Sequence, residues 1–71
     1  MDKGTLLNKL IDNEEVDNCG LIMLGDGREC FVRYTVFGWK MKIQGQSFYY
    51  RSEELTDAIN EDDVVDIVFM M

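Results

Sequence analysis

The sequence predicts an α+β domain over residues 1–71, with a helix, a four-stranded antiparallel meander, a second helix and a last strand in that order. Three observations support this prediction. Apolar residues recur at helical spacing near the N-terminus, alternate with polar residues through the middle of the chain, and return to helical spacing after Arg51. A chain of 71 residues has room for one domain.

The first helix is predicted over about residues 3–12. Asp2 or Thr5 is available to cap it, because short oxygen-bearing side chains accept hydrogen bonds from the free N–H groups of a first turn. The opposite face is polar, so we expect the helix to cover a core with one side. Its apolar stripe consists of Leu6, Leu7, Leu10 and Ile11.

Three turn signals predict the meander over about residues 19–51. Asp26-Gly27 and Gln44-Gly45 suit two-residue hairpin turns, which need positive φ. Phe37-Gly38 is either a third turn or a bulge within one strand, because Phe disfavours positive φ. Opposed residues share a face of the sheet. The three registers therefore place one mostly apolar set on the core face: Cys19, Leu21, Met23, Cys30, Val32, Tyr34, Val36, Trp39, Met41, Ile43, Phe48 and Tyr50.

The second helix is expected to begin at Ser52 as its cap, with Glu53 and Glu54 at the positive end of the helix dipole. Its predicted buried stripe is Leu55, Ala58 and Ile59. The β-branched run over residues 64–69 predicts the last strand, with Asp66 facing outward. We expect both helices on the aromatic core face of the sheet.

The residue inventory argues against catalysis. The chain has no histidine and two cysteines, which excludes the usual zinc ligand sets and a base that titrates near neutral pH. Gly25-Asp26-Gly27 joins two strands, so it is not a phosphate-binding loop. The acidic segment 12–18 lacks the ligand alternation of a calcium loop. We therefore predict no catalytic residue, no cofactor and no metal site.

The two cysteines are predicted to be free thiols. The Asp26-Gly27 register separates Cys19 from Cys30 by roughly 13 Å, whereas a disulfide needs Cα atoms within about 7 Å. The N-terminus lacks the features of a secretory signal. The longest apolar runs are shorter than the roughly 20 residues of a membrane helix. A cytoplasmic location without a membrane partner is therefore expected.

Charge is sorted along the chain. Residues 1–29 hold seven acids and three bases, residues 30–51 hold four bases and no acid, and residues 52–71 hold seven acids and no base, so −4, +4 and −7 sum to −7. Such sorting bears on partners more than on the fold. It yields three candidate interaction sites. They are an apolar interface (Ile22, Leu24, Phe31), an acidic interface (Glu53, Glu54, Asp57, Glu61, Asp62, Asp63) and a basic aromatic patch (Arg33, Lys40, Lys42, Tyr49, Arg51).

These sites predict a non-catalytic protein-binding module. The apolar interface would be covered by a protein partner or by a second copy in a homodimer. The acidic interface fits a DNA-mimic inhibitor of a basic nucleic-acid-binding protein. In the basic patch Arg33 would lie opposite Lys42, an unfavourable pair that a phosphate of single-stranded nucleic acid, stacked on Tyr49, would relieve. The net charge of −7 argues against nucleic acid as the main partner.

Overall fold

A computed structural model describes residues 1–59 and 63–70 as two helices and a five-stranded antiparallel sheet, which confirms the α+β class. The strand order is β4-β3-β2-β1-β5, so the meander is confirmed and the last strand lies antiparallel beside β1 at the sheet edge. Neither described helix has the length and hydropathy needed to cross a membrane. The elements are α1 Lys3–Ile11, β1 Cys19–Leu24, β2 Glu29–Thr35, β3 Gly38–Ile43, β4 Gln46–Tyr50, α2 Ser52–Ala58 and β5 Val64–Phe69.

The N-terminal helix α1 is capped by Asp2, one of the two predicted residues. The Asp2 carboxylate accepts hydrogen bonds from the Thr5 N–H at 2.8 Å and from the Thr5 hydroxyl at 3.0 Å. These bonds, the backbone one foremost, lower the pKa of Asp2 below its ordinary value. Leu6 and Leu10 of the apolar stripe are fully buried, while Ile11 is exposed. The helix therefore contacts the core along a narrower stripe than predicted.

The first hairpin differs from the prediction by one residue. Its loop has three residues, Gly25-Asp26-Gly27, of which Gly27 alone has a positive φ, at 91°. The Leu24 N–H bonds the Arg28 carbonyl at 2.9 Å, and the Gly27 N–H bonds the Leu24 carbonyl at 3.0 Å. This is the hairpin in which a type I turn is followed by a left-handed glycine. The predicted two-residue turn at Asp26-Gly27 is wrong.

The shifted register exchanges the two faces of β1, because side chains alternate with every residue. Ile22 now pairs with Cys30, and Gly20 with Val32. Ile22 is fully buried on the core face. The prediction that Cys19, Leu21 and Met23 face the core is therefore wrong, because these three alternate with Ile22 and lie on the other face, here called the outer face.

The cysteines are free thiols in the structure. Cys30 shares the core face with Ile22, whereas Cys19 pairs with Arg33 on the outer face. Two side chains on opposite faces of a sheet cannot bring their sulfur atoms together. The structure thus separates the thiols by face, whereas the predicted register separated them by distance along one face.

The other two hairpins keep the predicted faces. The β2–β3 turn lies at Val36-Phe37, with Thr35 opposite Gly38, two residues from the predicted register, and a shift of two leaves every strand residue on its face. Gly38, not Phe37, takes the positive φ of 110°. Val36 leaves the predicted core and is 78% exposed at the turn. The Gln44-Gly45 turn and the whole β3–β4 register are confirmed.

One core cluster joins the helices and the core face of the sheet. Its residues are Leu6, Leu10, Ile22, Val32, Trp39, Met41, Leu55, Ile59, Val64 and Ile67. From α2, Thr56 is buried and Ala58 is exposed, so the predicted stripe of that helix is wrong at Ala58.

Two hydrogen bonds in series link β3 to the start of α2 and to the segment that follows α1. The Trp39 Nε1 donates to the Ser52 Oγ at 3.0 Å, and the Ser52 hydroxyl donates to the Glu14 Oε2 at 3.2 Å. Ser52 is the first residue of α2, so the prediction that Ser52 caps this helix is wrong. Arg51 takes the cap position, and its N–H donates to the Glu54 Oε1 at 3.0 Å.

We predict that Ser52→Ala lowers the free energy of unfolding by about 1–3 kcal/mol, because it leaves the buried indole N–H of Trp39 without an acceptor. Urea denaturation followed by tryptophan fluorescence measures this. Ser47→Ala, an exposed serine on β4, is the control and should change stability by less than about 0.5 kcal/mol. Equal effects of the two substitutions would contradict the structural role of the Trp39–Ser52 bond.

We also predict that Gly38→Ala is more destabilising than Gly27→Ala. Both glycines have positive φ, so each substitution carries a backbone penalty of about 1–2 kcal/mol. A Cβ at Gly38 would also lie 2.5 Å from the Tyr50 carbonyl oxygen, whereas one at Gly27 would meet nothing within 4 Å. The difference between the two midpoints in urea isolates this close approach, and equal midpoints would refute it.

Candidate interaction surface

The outer face of the sheet brings together most of the predicted basic aromatic patch. Arg33 on β2 lies opposite Lys40 on β3, and Lys40 lies opposite Tyr49 on β4. Lys42 follows two residues after Lys40 and so points to the same side. The predicted pairing of Arg33 with Lys42 is wrong by two residues, yet the like-charge contact across β2 and β3 remains, with Lys40 in place of Lys42. We call Arg33, Lys40 and Lys42 the basic patch.

Arg51, the fifth predicted member, does not join the basic patch. Arg51 caps α2, and its guanidinium forms an ion pair with Glu54 at 3.1 Å. Lys3 and Arg28 likewise pair with Asp57 and Asp26. Within residues 1–59 and 63–70, the three cations of the basic patch take part in no ion pair. The basic patch is therefore not neutralised by ion pairs within the described part of the chain.

Two exposed aromatic rings flank the basic patch. Phe31 is 54% exposed and Tyr49 is 48% exposed. The Tyr49 ring also makes an edge-on contact with Phe37, with ring centroids 5.9 Å apart. A concavity of about 360 Å³ lies over this region, lined by Glu29, Cys30, Phe31, Arg33, Lys40 and Lys42. Its lining thus combines three cations with an aromatic ring and one carboxylate.

The predicted apolar interface of Ile22, Leu24 and Phe31 is wrong as a single surface. Ile22 is fully buried and Leu24 is half-buried against the core, so of these three residues only Phe31 lies on the outer face. The one-residue register shift brings other residues beside Phe31, because Leu21 pairs with Phe31 on one side and with Val68 on the other. We call the resulting set the outer apolar cluster: Leu21, Met23, Phe31 and Val68. Sequence reasoning missed the other three members because the three-residue loop was not anticipated.

The predicted acidic interface is partly neutralised. Asp57 pairs with Lys3, and Glu54 pairs with Arg51, while Glu53 and Asp63 are exposed. The hydrogen bond from the Arg51 N–H, and then the Arg51 side chain, lower the pKa of Glu54 below its ordinary value of 4.5. The remaining two predicted members, Glu61 and Asp62, lie outside the described residues.

A second concavity, of about 350 Å³, lies where the β2–β3 turn approaches α2. Ser52 and Glu14 line it, but Ser52 is buried and its hydroxyl is already bonded to Trp39 and Glu14. The exposed Val36 and Phe37 form its apolar wall. This wall was not predicted, because Val36 was expected on the core face and Phe37 was considered only as a turn residue. In the described part of the chain, no three of its Cys, Asp and Glu side chains lie together as a metal-binding group would require.

Comparison with known proteins adds no relative to this description, since no protein-family model, curated protein or solved structure matches the chain.

The lowered pKa of Glu54 predicts a pH effect on stability. A carboxylate whose pKa is depressed by folding stabilises the fold above its unfolded value, and this contribution is lost as the pH falls through the folded pKa. We therefore expect the unfolding free energy of Glu54→Gln to decline less steeply than wild type as the pH falls below about 4.5. Glu53→Gln makes the same charge change at the adjacent residue and is the control. If both variants keep the wild-type slope in urea titrations at a series of pH values, the prediction is wrong.

Proposed function

We propose that this chain is a single, non-catalytic protein-binding module whose outer face binds an acidic segment of a partner protein. The observation that carries the proposal is the basic patch, in which Arg33, Lys40 and Lys42 lie on neighbouring strands without an acidic partner in the described chain. Like charges opposed across strands are unfavourable, so an anionic partner would remove an existing repulsion as well as add attraction.

The proposal takes both helices to lie on the core face and to leave the outer face free. Leu6 and Leu10 of α1, Leu55 of α2 and the α2 C-cap residue Ile59 belong to the same core cluster as the core-facing strand residues. Of the outer-face residues named above, none is buried. Exposed apolar side chains next to unpaired cations are typical of a surface that another molecule contacts.

The net charge of −7 does not conflict with an acidic partner at this site. Salt screens charge over about 8 Å at physiological ionic strength, so a bound segment is affected mainly by the three cations and by Glu29, which lines the same concavity, while the distant acids are largely screened. We expect association without long-range steering, and a partner that leaves faster as salt rises. A second copy of this chain is a poorer occupant, because a two-fold contact would bring two basic patches to one interface.

We also propose a cytoplasmic location and the absence of catalysis. Both cysteines are free thiols, a state that a reducing compartment maintains. The chain has no histidine, and its most buried hydroxyl pair, Ser52 and Thr56, is hydrogen-bonded to structural partners. The Thr56 hydroxyl donates to a backbone carbonyl, which is not a base, and the Ser52 hydroxyl, which donates to the Glu14 carboxylate, is buried and also accepts from the Trp39 indole.

Single-stranded nucleic acid is the second candidate ligand, favoured by the position of Phe31 and Tyr49 beside the basic patch. Exposed aromatic rings on a sheet stack on bases, and nearby cations contact phosphates. The DNA-mimic alternative gains no support of this kind, since Glu54 and Asp57 are already paired with cations of the chain.

The test measures the fluorescence anisotropy of a short fluorescein-labelled peptide in which Glu and Val alternate. We predict that Lys42→Glu weakens binding by at least about tenfold, or 1.4 kcal/mol, because it reverses a charge at the contact. Lys9→Glu makes the same change in net charge on the exposed side of α1 and should leave the affinity within about twofold.

Three results would contradict the proposal. They are no measurable binding of the acidic peptide, equal binding of a peptide in which Lys replaces every Glu, and equal effects of Lys42→Glu and Lys9→Glu. A labelled oligothymidylate serves as the competing probe. If it binds more tightly than the acidic peptide, and Tyr49→Ala abolishes that binding, the second candidate replaces the first.

A further inference from the structure

The two edges of the sheet differ in how they are protected. Strand β5 ends the sheet beside β1, and it carries Asp66. The Met70 N–H bonds the Cys19 carbonyl at 2.7 Å, so the alternation of ladder bonds directs the N–H of Ile67 away from β1. The Ile67 N–H donates instead to the Asp66 Oδ1 at 2.8 Å. A charge and an occupied N–H are devices that keep an edge from pairing with another chain.

Strand β4 has no such protection. Its five residues, Gln46–Tyr50, include neither a charge nor a proline, and the first four are exposed. The Gln44-Gly45 turn has φ of 52° and 82°, the two-residue hairpin that closes on a hydrogen-bonded pair, here Ile43 with Gln46. Alternation along the ladder then directs the N–H and C=O groups of Ser47 and Tyr49 to the free edge.

The side chains around this edge define what an added strand would carry. Neighbouring strands lie about 4.8 Å apart, so outward residues of an added strand would contact Ser47 and Tyr49 and would approach Lys40 and Lys42 one strand further in. Its other residues would lie beside Phe48, which is 38% exposed on the core face. Acidic side chains match the first environment and apolar side chains the second.

We propose that the acidic partner segment binds as a sixth strand along β4, with acidic and apolar residues in alternation. This inference rests on the proposed function and adds its mode of binding. Main-chain hydrogen bonds to Ser47 and Tyr49 hold the segment, the basic patch selects its charged side, and Phe48 contacts its apolar side. This is the strand-addition mode, in which the backbone supplies affinity and alternate side chains supply specificity.

Amide hydrogen exchange gives the direct test, with the alternating Glu-Val peptide as the probe. We expect saturating peptide to slow exchange of the Ser47 and Tyr49 amides by at least about tenfold, as new hydrogen bonds form. The Phe48 amide, which faces β3, should change by less than about twofold and is the internal control. A peptide of the same sequence with every backbone nitrogen methylated keeps the charges but loses the donors, and it should bind at least about tenfold more weakly.

A substitution tests the same edge from the protein side. Ser47→Pro removes an N–H that does not take part in the β3 ladder, and proline is accepted on the open side of an edge strand. We expect Ser47→Pro to weaken peptide binding at least about tenfold, and Ser47→Ala to leave it within about twofold. Circular dichroism and urea denaturation check that both variants are folded. If Ser47→Pro is unfolded, the methylated peptide and the exchange measurement decide.

The outcomes separate this inference from the proposed function. Binding that Lys42→Glu weakens, without slower exchange at Ser47 and Tyr49, overturns strand addition and leaves the acidic-partner proposal intact. If the peptide slows exchange at both amides but its affinity is unchanged by Lys42→Glu, strand addition is supported and the role of the basic patch is overturned. Absence of peptide binding overturns both.

Discussion

The buried Trp39 side chain is the contact on which the arrangement of the elements depends. Its indole N–H bonds Ser52 at the start of α2, and Ser52 bonds Glu14 after α1. Its ring packs edge-on against Tyr34, 4.9 Å away, and tilted against Phe69, 5.9 Å away. Phe69 reaches it across β1 because Gly20 has no side chain, and a Cβ there would lie 3.1 Å from the Phe69 ring. Trp39 thus connects three strands with the start of α2 and, through Ser52, with the segment that follows α1.

In the described part of the chain, none of the outer-face residues named above belongs to the core cluster. Helices of nine and seven residues contribute three apolar residues to the core cluster, and a chain of this length buries only about 60% of its unfolded surface. The outer apolar cluster and the basic patch are at least partly exposed in the described part of the chain.

Most bases outside the basic patch form local ion pairs in the described part of the chain, whereas those of the basic patch do not. Arg51 with Glu54 and Lys3 with Asp57 join oppositely charged residues near the two helices. These exposed pairs contribute little stability. They do reduce the free acidic surface that a nucleic-acid mimic would need.

The sequence by itself determined the elements whose signals are local. The β3–β4 register followed from Gln44-Gly45, because the turn type requires positive φ at both positions. The basic patch was also predictable, because the two-residue error at Val36-Phe37 preserves faces. Only the tertiary structure decided the loop at Gly25-Asp26-Gly27, which local chemistry allows with two or three residues. Ile22 fixes that choice through its burial beside Ile67 of β5, a contact between residues 45 positions apart (67 − 22). The composition of the outer apolar cluster and the position of β5 depend on the same long-range packing, which no local pattern encodes.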